Sequence, residues 1–435
     1  MMDGARFPRT RINGRPEMAM FELPYPSGIP LPRKETAARR MFAPVWTGRA
    51  RKSALSAVVM IALIPAPELP GQQSGEAAAG TRMIELIREL VIGADPGVPE
   101  YEFAAIGSMA LTRAGTVFVS ASDGSEVRIR RYDHQGRYQG LVGRSGAGPG
   151  EYRVIAGMAV VGDTLVAVYD RGNGRVALFD TAGVYRGAFR VPGGGVPSHK
   201  VFAVTFDSLI GVRRRVDEPA GAGAGLVTSV FVRYRLNGEV LDSVSVPPEN
   251  VGATVLLHRS LGPRWAFPTT RVFALLPRGG IATALNSSYR VEVVPAEGPR
   301  FTIERPARPI PLEDRERDEW VHFVTPGERS AVPRHKPIIR DLFADTDGRL
   351  WVAVYTNATR RTYTTRPGRE QRSTLTFWEH NAYDVFDQRG RYLGRIDLPP
   401  FSRLLATRGD RAWVAQETED GSFILVRYEL RVPPL

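Results

Sequence analysis

Apolar residues along this chain fall in short runs rich in Val, Ile, Phe and Tyr. Gly, Asp and Asn bound each run, and the same four-strand phrase recurs six times between Ala104 and Val432. Three copies share a turn: Tyr132-Asp133-His134-Gln135-Gly136-Arg137-Tyr138, Phe179-Asp180-Thr181-Ala182-Gly183-Val184-Tyr185 and Phe386-Asp387-Gln388-Arg389-Gly390-Arg391-Tyr392. Each is an aromatic strand end, an Asp-x-x-Gly turn and a second strand. An Asp bonds its own backbone across such a turn and the Gly supplies positive φ, so the motif predicts a tight hairpin rather than a chemical site.

A second marker, a turn followed by a strongly β-prone inner strand, appears at Gly115–Val119, Gly162–Val168, Asp207–Val212, Gly279–Thr283, Asp347–Val352 and Gly409–Val414. Six such strands predict six blades. Small sheets that cannot bury both faces alone, at this spacing, indicate a propeller, in which neighbours cover one another. The turn glycines Gly136, Gly183, Gly238, Gly298 and Gly390 mark the first five copies, and the last copy offers only three strands, at 401–407, 411–417 and 422–430. Its missing outer strand is expected from Met83–Ile92, where Ile84, Leu86, Leu90 and Ile92 alternate. Ile87 is out of step, and a short helix is the alternative reading there. The expected fold is therefore all-β: a six-bladed β-propeller of four-stranded antiparallel blades, its last blade closed by an N-terminal strand so that no sheet edge is left open.

The run Gly143-Arg144-Ser145-Gly146-Ala147-Gly148-Pro149-Gly150-Glu151-Tyr152 resembles a Gly-x-x-Gly-x-Gly-Pro-Gly-Glu-Phe segment of bacterial exported six-bladed propellers related to the NHL-repeat and TolB-like families. The stretch Asp345–Val352 is similar to their Asp-x-Asp-Gly-x-Leu-Trp-Val strand. The resemblance covers about 82–435. It implies the fold and a binding platform, but a fold-level likeness supplies no substrate.

Cysteine is absent from the 435 residues, which removes disulfides, thiolate metal sites and thiol nucleophiles from consideration. Arg49, Arg51 and Lys52 precede an apolar run from Ala54 to Ile64 and then Pro65-Ala66, the pattern of an export signal. That run is too short for a stable membrane span. Met41 sits where a start would give a signal of ordinary length, which would leave residues 1–40 untranslated. The expected organisation is a leader at 1–66, a linker at 67–81 and the propeller at 82–435, in a protein exported to the periplasm or beyond. Of the formal net charge of +12, the leader carries +7 and the remainder +5, so the propeller is only mildly basic. Nucleic acid is not an expected partner.

Ordinary loops in a compact domain are a few residues long, and loops beyond about 12–15 residues are usually functional or disordered. Insertions are expected at 213–227, 247–265, 306–337 and 356–382, all in connections that leave the same face of a propeller. They hold Arg213, Arg215, His258, Trp265, Trp320, His322, Arg334, His335, Trp378 and His380, together with Arg214, Arg259, Lys336, Arg360 and Arg361. Arg binds oxyanions in a fork and Trp stacks on sugars, so these positions predict a face for an anionic or carbohydrate ligand, or a protein partner. Glu313–Glu319, just before Trp320, carries opposite charges at helical spacing and predicts a solvated helical lid over the mouth. Glu151, Asp170, Asn173 and Asn286 are channel candidates for a divalent cation such as calcium in a gluconolactonase-like hydrolase or lyase, although no spacing singles them out. The histidines show no zinc motif, and no Gly-x-Ser-x-Gly is present. The leading expectation is a monomeric, cofactor-free binding module, with a structural role in an envelope assembly as a further alternative.

Overall fold

β-Branched and aromatic residues in runs too short to make helices become strands here, because each can bury a face on both sides of a thin sheet. The computed structural model describes residues 82–434 except 95–96, 124–125, 191–196, 206–207, 218–225, 246–248, 251–266, 268, 277–278, 324–331 and 362–375. Both the leader and the linker expected at 1–81 lie outside the described residues.

The chain opens with β1 (Glu85–Ile92) and then lays down its first sheet from β2 (Ala105–Leu111), β3 (Val117–Ser122), β4 (Val127–Tyr132) and β5 (Tyr138–Val142). A two-residue parallel bridge joins β6 (Arg144–Ser145) to β7 (Glu151–Tyr152). The second sheet follows: β8 (Ile155–Val161), β9 (Leu165–Asp170), β10 (Arg175–Asp180) and β11 (Tyr185–Arg190). Next come β12 (Pro197–Thr205), β13 (Ser208–Asp217), β14 (Leu226–Arg235), β15 (Val240–Ser245) and β16 (Glu249–Asn250), all in one sheet. A further sheet is formed by β17 (Arg271–Leu275), β18 (Ile281–Leu285), β19 (Arg290–Val294) and β20 (Phe301–Glu304), and helix α1 (Asp314–Phe323) follows it. β21 (Ile339–Ala344) and β22 (Leu350–Val354) begin another sheet. A hairpin of β23 (Ala358–Arg360) and β24 (Phe377–Glu379) interrupts it before β25 (Ala382–Phe386) and β26 (Tyr392–Asp397) complete it. The final sheet has the order β1, β29 (Phe423–Arg431), β28 (Arg411–Glu417), β27 (Ser402–Arg408).

Five of these sheets are four-stranded and antiparallel, which corrects the expectation of six uniform four-stranded blades. The remaining sheet has five strands because two short ones take the place of its outer strand. β15 pairs with Val230–Tyr234 of β14, and β16 pairs with Leu226 and Val227 further along the same strand.

The core lies between sheets rather than within any one of them. Among the described residues five apolar clusters each join consecutive sheets. Val142, Phe118 and Tyr152 meet Val166, Val168 and Phe179, and Ile92 and Trp413 meet Val117 and Tyr132 across the junction of last sheet and first. First strands of neighbouring sheets touch (β2 with β8 and β27, β8 with β12, β17 with β21), so they crowd an axis and the fourth strands form the rim. The architecture is a β-propeller.

Ring closure uses the predicted strand, with one correction. β1 runs antiparallel to β29 but bulges between Arg88 and Leu90, which reverses the side-chain alternation beyond that point. Ile84 and Leu86 therefore pack toward Trp351 and Val385 of the preceding sheet, whereas Leu90 and Ile92 pack toward Tyr132 and Val117 of the first sheet. At the bulge Glu89 accepts hydrogen bonds from Nε of Arg411 and Arg427, at 3.0 and 2.9 Å.

The shared hairpin turns behave as their sequence predicts. Asp133 accepts the backbone N–H of Gln135 and Arg137, Asp180 that of Ala182 and Val184, and Asp387 that of Arg389 and Arg391. The flanking aromatics face each other across the two strands: Tyr132–Tyr138 and Phe179–Tyr185 centroids are 5.8 Å apart, and Phe386–Tyr392 centroids 5.5 Å. Four of the five turn glycines have a further reason to be glycine. A Cβ on Gly238 (φ +86°) would lie 2.8 Å from Phe189 Cβ on the outer strand of the preceding sheet, and one on Gly136 would lie 3.1 Å from Ile92. By contrast Gly298, at φ +98°, has nothing within 4 Å.

Gly238→Ala and Gly298→Ala therefore separate two effects. Both place a side chain at positive φ, which costs roughly 1–2 kcal/mol, but only Gly238→Ala adds overpacking, worth about 1–3 kcal/mol more. Urea unfolding is expected to show the larger loss at Gly238, and equal losses would remove close approach from the account. Acid sensitivity gives a second expectation. The backbone N–H of Val184, with Arg186 and the N–H of Ala182 adding to it, holds the Asp180 carboxyl below its ordinary value of 3.8. A depressed folded-state value means the folded protein binds fewer protons than the unfolded chain. The stabilisation is present above that ordinary value and is lost as pH falls through the folded one. Asp180→Asn keeps the acceptor oxygen but does not titrate, so its urea midpoint should fall less than that of the parent between about pH 5 and about pH 2. An identical fall in both proteins would refute this.

Candidate functional site

The strand order divides the connections between two faces. Those between first and second strands (112–116, 162–164, 276–280, 345–349) and between third and fourth strands (133–137, 181–184, 236–239, 387–391) are tight turns on one face. On the other face lie the connections 143–154, 246–270, 305–338 and 355–381. The expected one-sidedness of the long segments is thus present in the strand boundaries.

Two of the three non-glycine residues at positive φ among the described residues lie on that long-connection face: Phe267 at φ 50° and Phe401 at φ 56°. A bulky residue in the left-handed region is strained and persists only where its surroundings hold it. Both phenylalanines are held by aromatic partners and a cation. Phe267 meets Trp320 (5.1 Å between centroids) and Tyr355 (5.6 Å), with Lys336 Nζ 5.8 Å from its ring centre. Phe401 meets Trp378 at 4.6 Å and has the Arg361 guanidinium 4.2 Å from its centroid. Arg361 in turn makes two parallel bonds to Glu417, of 2.9 and 2.8 Å, the fork geometry that suits a guanidinium and a carboxylate.

Lys336, expected on an exposed loop, is 1% exposed. Its Nζ lies 2.8 Å from Glu316 Oε1 and 3.0 Å from Glu379 Oε1, and donates to the Thr356 carbonyl at 3.2 Å. Three acceptors thus surround the Lys336 ammonium. Burial pushes the Glu316 carboxyl above its ordinary range, and the Lys336 ammonium partly counters that. Helix α1 is accordingly not a solvated lid. Glu316 roots one face of it in the protein at 3% exposure, and Glu319 binds the Thr376 backbone N–H and hydroxyl. The correction has a plain cause: helical charge spacing places Glu316 and Glu319 near one another, but cannot show that a lysine from a distant segment lies beneath them.

The predicted residues separate into five groups. Trp320 and Trp378 are half-buried in the two aromatic clusters, as structural partners of Phe267 and Phe401. Arg334 and His335 are exposed beside helix α1, their backbones tied to Leu312 and Pro311. His380 is partly exposed, with its Nε2 3.7 Å from Asp397. Arg213 and Arg215 lie within β13 rather than in a loop, because that strand and β14 run on past the expected boundary; their side chains lie outside the described residues, as does that of His322 on α1. His258 and Trp265 lie outside the described residues altogether.

The four channel metal candidates are engaged in holding backbone. Asp170 Oδ1 accepts the N–H groups of Arg153, Val154 and Asn173, and Asn173 Nδ2 donates to the Gly146 carbonyl. Glu151 accepts from Gly148 N–H at 2.7 Å and pairs with Arg144. Asn286 Oδ1 accepts from Thr270 N–H. Among the described residues no group of three or more acidic or histidine side chains is placed to hold a metal ion.

Residues on first strands were missed. Arg340 and Arg403 lie on β21 and β27, both exposed, near Tyr383, Asp341 and Asn381. Their only sequence signal was a charge at the start of a strand otherwise expected to be apolar.

No protein-family model matches this chain, and no curated protein matches it in sequence. Solved structures do match in fold. A member of the DUF4221 family from Bacteroides vulgatus superposes with a TM-score of 0.51 at 9% identity, covering 81% of this chain and all of that one. A Bacteroides fragilis protein gives 0.46 at 10% identity over 80% of this chain and 95% of its own. Virginiamycin B lyase from Staphylococcus aureus gives 0.34 at 10% identity over 80% and 90% respectively. The first supports the propeller fold and nothing finer.

Removing the cation from the buried cluster is predicted to be severe. Lys336→Met leaves Glu316 and Glu379 facing each other without a counter-charge, an expected loss of about 3–5 kcal/mol in urea unfolding. The combined variant Glu316→Leu, Lys336→Met, Glu379→Leu should recover most of it, because an apolar cluster needs no compensation. A neutral Lys336→Met would show that the cluster does not anchor the helix.

Proposed function

We propose that this protein is an exported, monomeric propeller that binds a ligand or protein partner on its long-connection face, with the five-stranded sheet filling the sixth place in the ring. One observation carries the reading: the long connections lie together on one face, and the strained aromatics Phe267 and Phe401 lie there too. A scaffold whose described connections on the other face are short invests its irregular structure where recognition would occur. The basic and aromatic lining favours an acidic ligand. Relation to the NHL-repeat and TolB-like propellers rests on the Gly143–Tyr152 and Asp345–Val352 segments. Export rests on the pattern at Arg49–Ala66. No described helix is long and apolar enough to cross a membrane. The reading requires no cofactor.

A charge-matched comparison tests it. Arg308, Arg334 and Arg360 are exposed on the long-connection face, whereas Arg113, Arg300 and Arg389 are exposed on turns of the opposite face. Replacing either trio by Ala removes the same net charge. Affinity for heparin, used as an acidic polysaccharide probe, should fall about tenfold or more for the first trio only, with melting temperatures nearly unchanged because surface positions carry little packing. Equal losses would mean that net charge alone is being read.

A further inference from the structure

The first strands of the last two sheets bring two arginines to the channel wall. Arg340 is the extra residue of a bulge in β21, where pairing steps from Ile339 to Asp341. Bulges re-aim a side chain out of the regular pleat. Its Nη1 donates to Asn381 Oδ1 at 3.0 Å, its guanidinium lies 5.8 Å from the Tyr355 centroid, and Asn381 Nδ2 donates to the carbonyl of Ser402, next to Arg403. Arg403 reaches across to the first sheet, donating through Nη2 to the Ile106 and Gly107 carbonyls at 2.6 and 3.4 Å. Neither arginine has a carboxylate within ion-pair distance among the described residues, and both side chains are exposed.

Arg403 is exposed to water and yet hemmed in by protein, as a group on the wall of a narrow channel would be. That confinement holds its guanidinium below the usual arginine range. The nearby Tyr383 is pushed up to about 12 by burial and stays a neutral donor. The acidic groups in the neighbourhood are Asp341, which accepts the Leu342 N–H, and Glu379, which is committed to Lys336. Arg340 and Arg403 thus each offer a guanidinium donor from the inner strands of two neighbouring sheets.

Resting on the proposed binding role of this face, we propose that the channel mouth between Arg340 and Arg403 binds one oxyanion, a carboxylate or a phosphate, of a small solute. Guanidinium forks match the planar or tetrahedral oxygens of such groups, and Tyr383 adds a donor that a neutral sugar would not require.

Calorimetric titration of the whole protein at fixed ionic strength tests this, using glucuronate, glucose 1-phosphate and glucose as probes. Saturable binding of at least one anion and none of glucose is expected, and which anion binds distinguishes carboxylate from phosphate. Arg340→Gln should weaken that binding about 10- to 100-fold, the usual worth of a charge-assisted bond. Arg389→Gln, on a turn of the opposite face, should leave it unchanged. Arg403→Lys keeps the charge and one carbonyl bond but loses the fork, so it should fold and bind more weakly, which serves if Arg340→Gln is unstable. Absence of saturable anion binding, equal binding of glucose, or full affinity in both arginine variants would overturn the inference. If anions fail to bind while heparin still discriminates between the two faces, only this inference falls. If heparin discrimination fails as well, the binding role falls with it.

Discussion

Each sheet in this protein has two apolar faces and no means of covering either, so everything depends on how closely neighbouring sheets can approach. The third-to-fourth-strand turn sets that distance. At Gly136, Gly183, Gly238 and Gly390 the turn backbone lies against the outer strand of the preceding sheet, closely enough at Gly238 and Gly390 to leave no room for a Cβ and at Gly136 and Gly183 to make one tight. The same glycines occupy positive φ, and a preceding Asp, or Asn237 before Gly238, accepts turn amides with its side chain. One residue type thus meets a local conformational need and a non-local packing need together. Each apolar side chain fully buried in the layers so formed contributes roughly 1.5–3 kcal/mol, which is how a chain without disulfides can hold a ring of thin sheets.

The junction between the chain's beginning and end is where such a ring is weakest, because no covalent connection crosses it. Here it is closed by more than backbone pairing. The bulge in β1 at Glu89 lets one strand serve two inter-sheet layers, and Glu89 fixes the register through Arg411 and Arg427. Upstream of the strand, Arg82 and Ile84 exchange backbone hydrogen bonds with Arg395 on β26, so the N-terminal segment ties the preceding sheet as well. Gly394 makes this docking feasible, since a Cβ there would lie 2.8 Å from Ile84. A single N-terminal segment therefore touches three sheets, and loosening it would open the ring rather than fray one edge.

On this rigid base the long-connection face is built from interactions that a surface loop would not ordinarily carry. A lysine fully removed from water is tolerated because two carboxylates and a carbonyl surround it. Such a cluster is weak evidence for net stability, but removing one partner would strand a buried charge. The strained Phe267 and Phe401 are held in the same way, by ring contacts and a cation over each. Rigidity there has a functional consequence: side chains that face the channel from β21 and β27 are presented in fixed positions, so little order would be lost on binding a ligand.

Turn chemistry, strand phrasing and the repeat were legible in the chain because each depends on residues a few positions apart: Asp180 sees Val184, and Phe179 sees Tyr185. The direction of the long connections was legible for the same reason, since strand order alone assigns every loop to a face. What could not be read were contacts between segments distant along the chain. Glu316 meets Lys336 and Glu379 across two connections. The β1 bulge sends Leu86 and Leu90, equivalent by alternation, to opposite faces. β13 runs past Arg215 because β14 continues beside it. Arg340 and Arg403 share the channel only because two sheets stand side by side. Local pattern determines which residues make a hairpin and which glycines it needs, whereas burial of a charge is a property of whatever arrives from elsewhere to surround it, and only the assembled ring decides that.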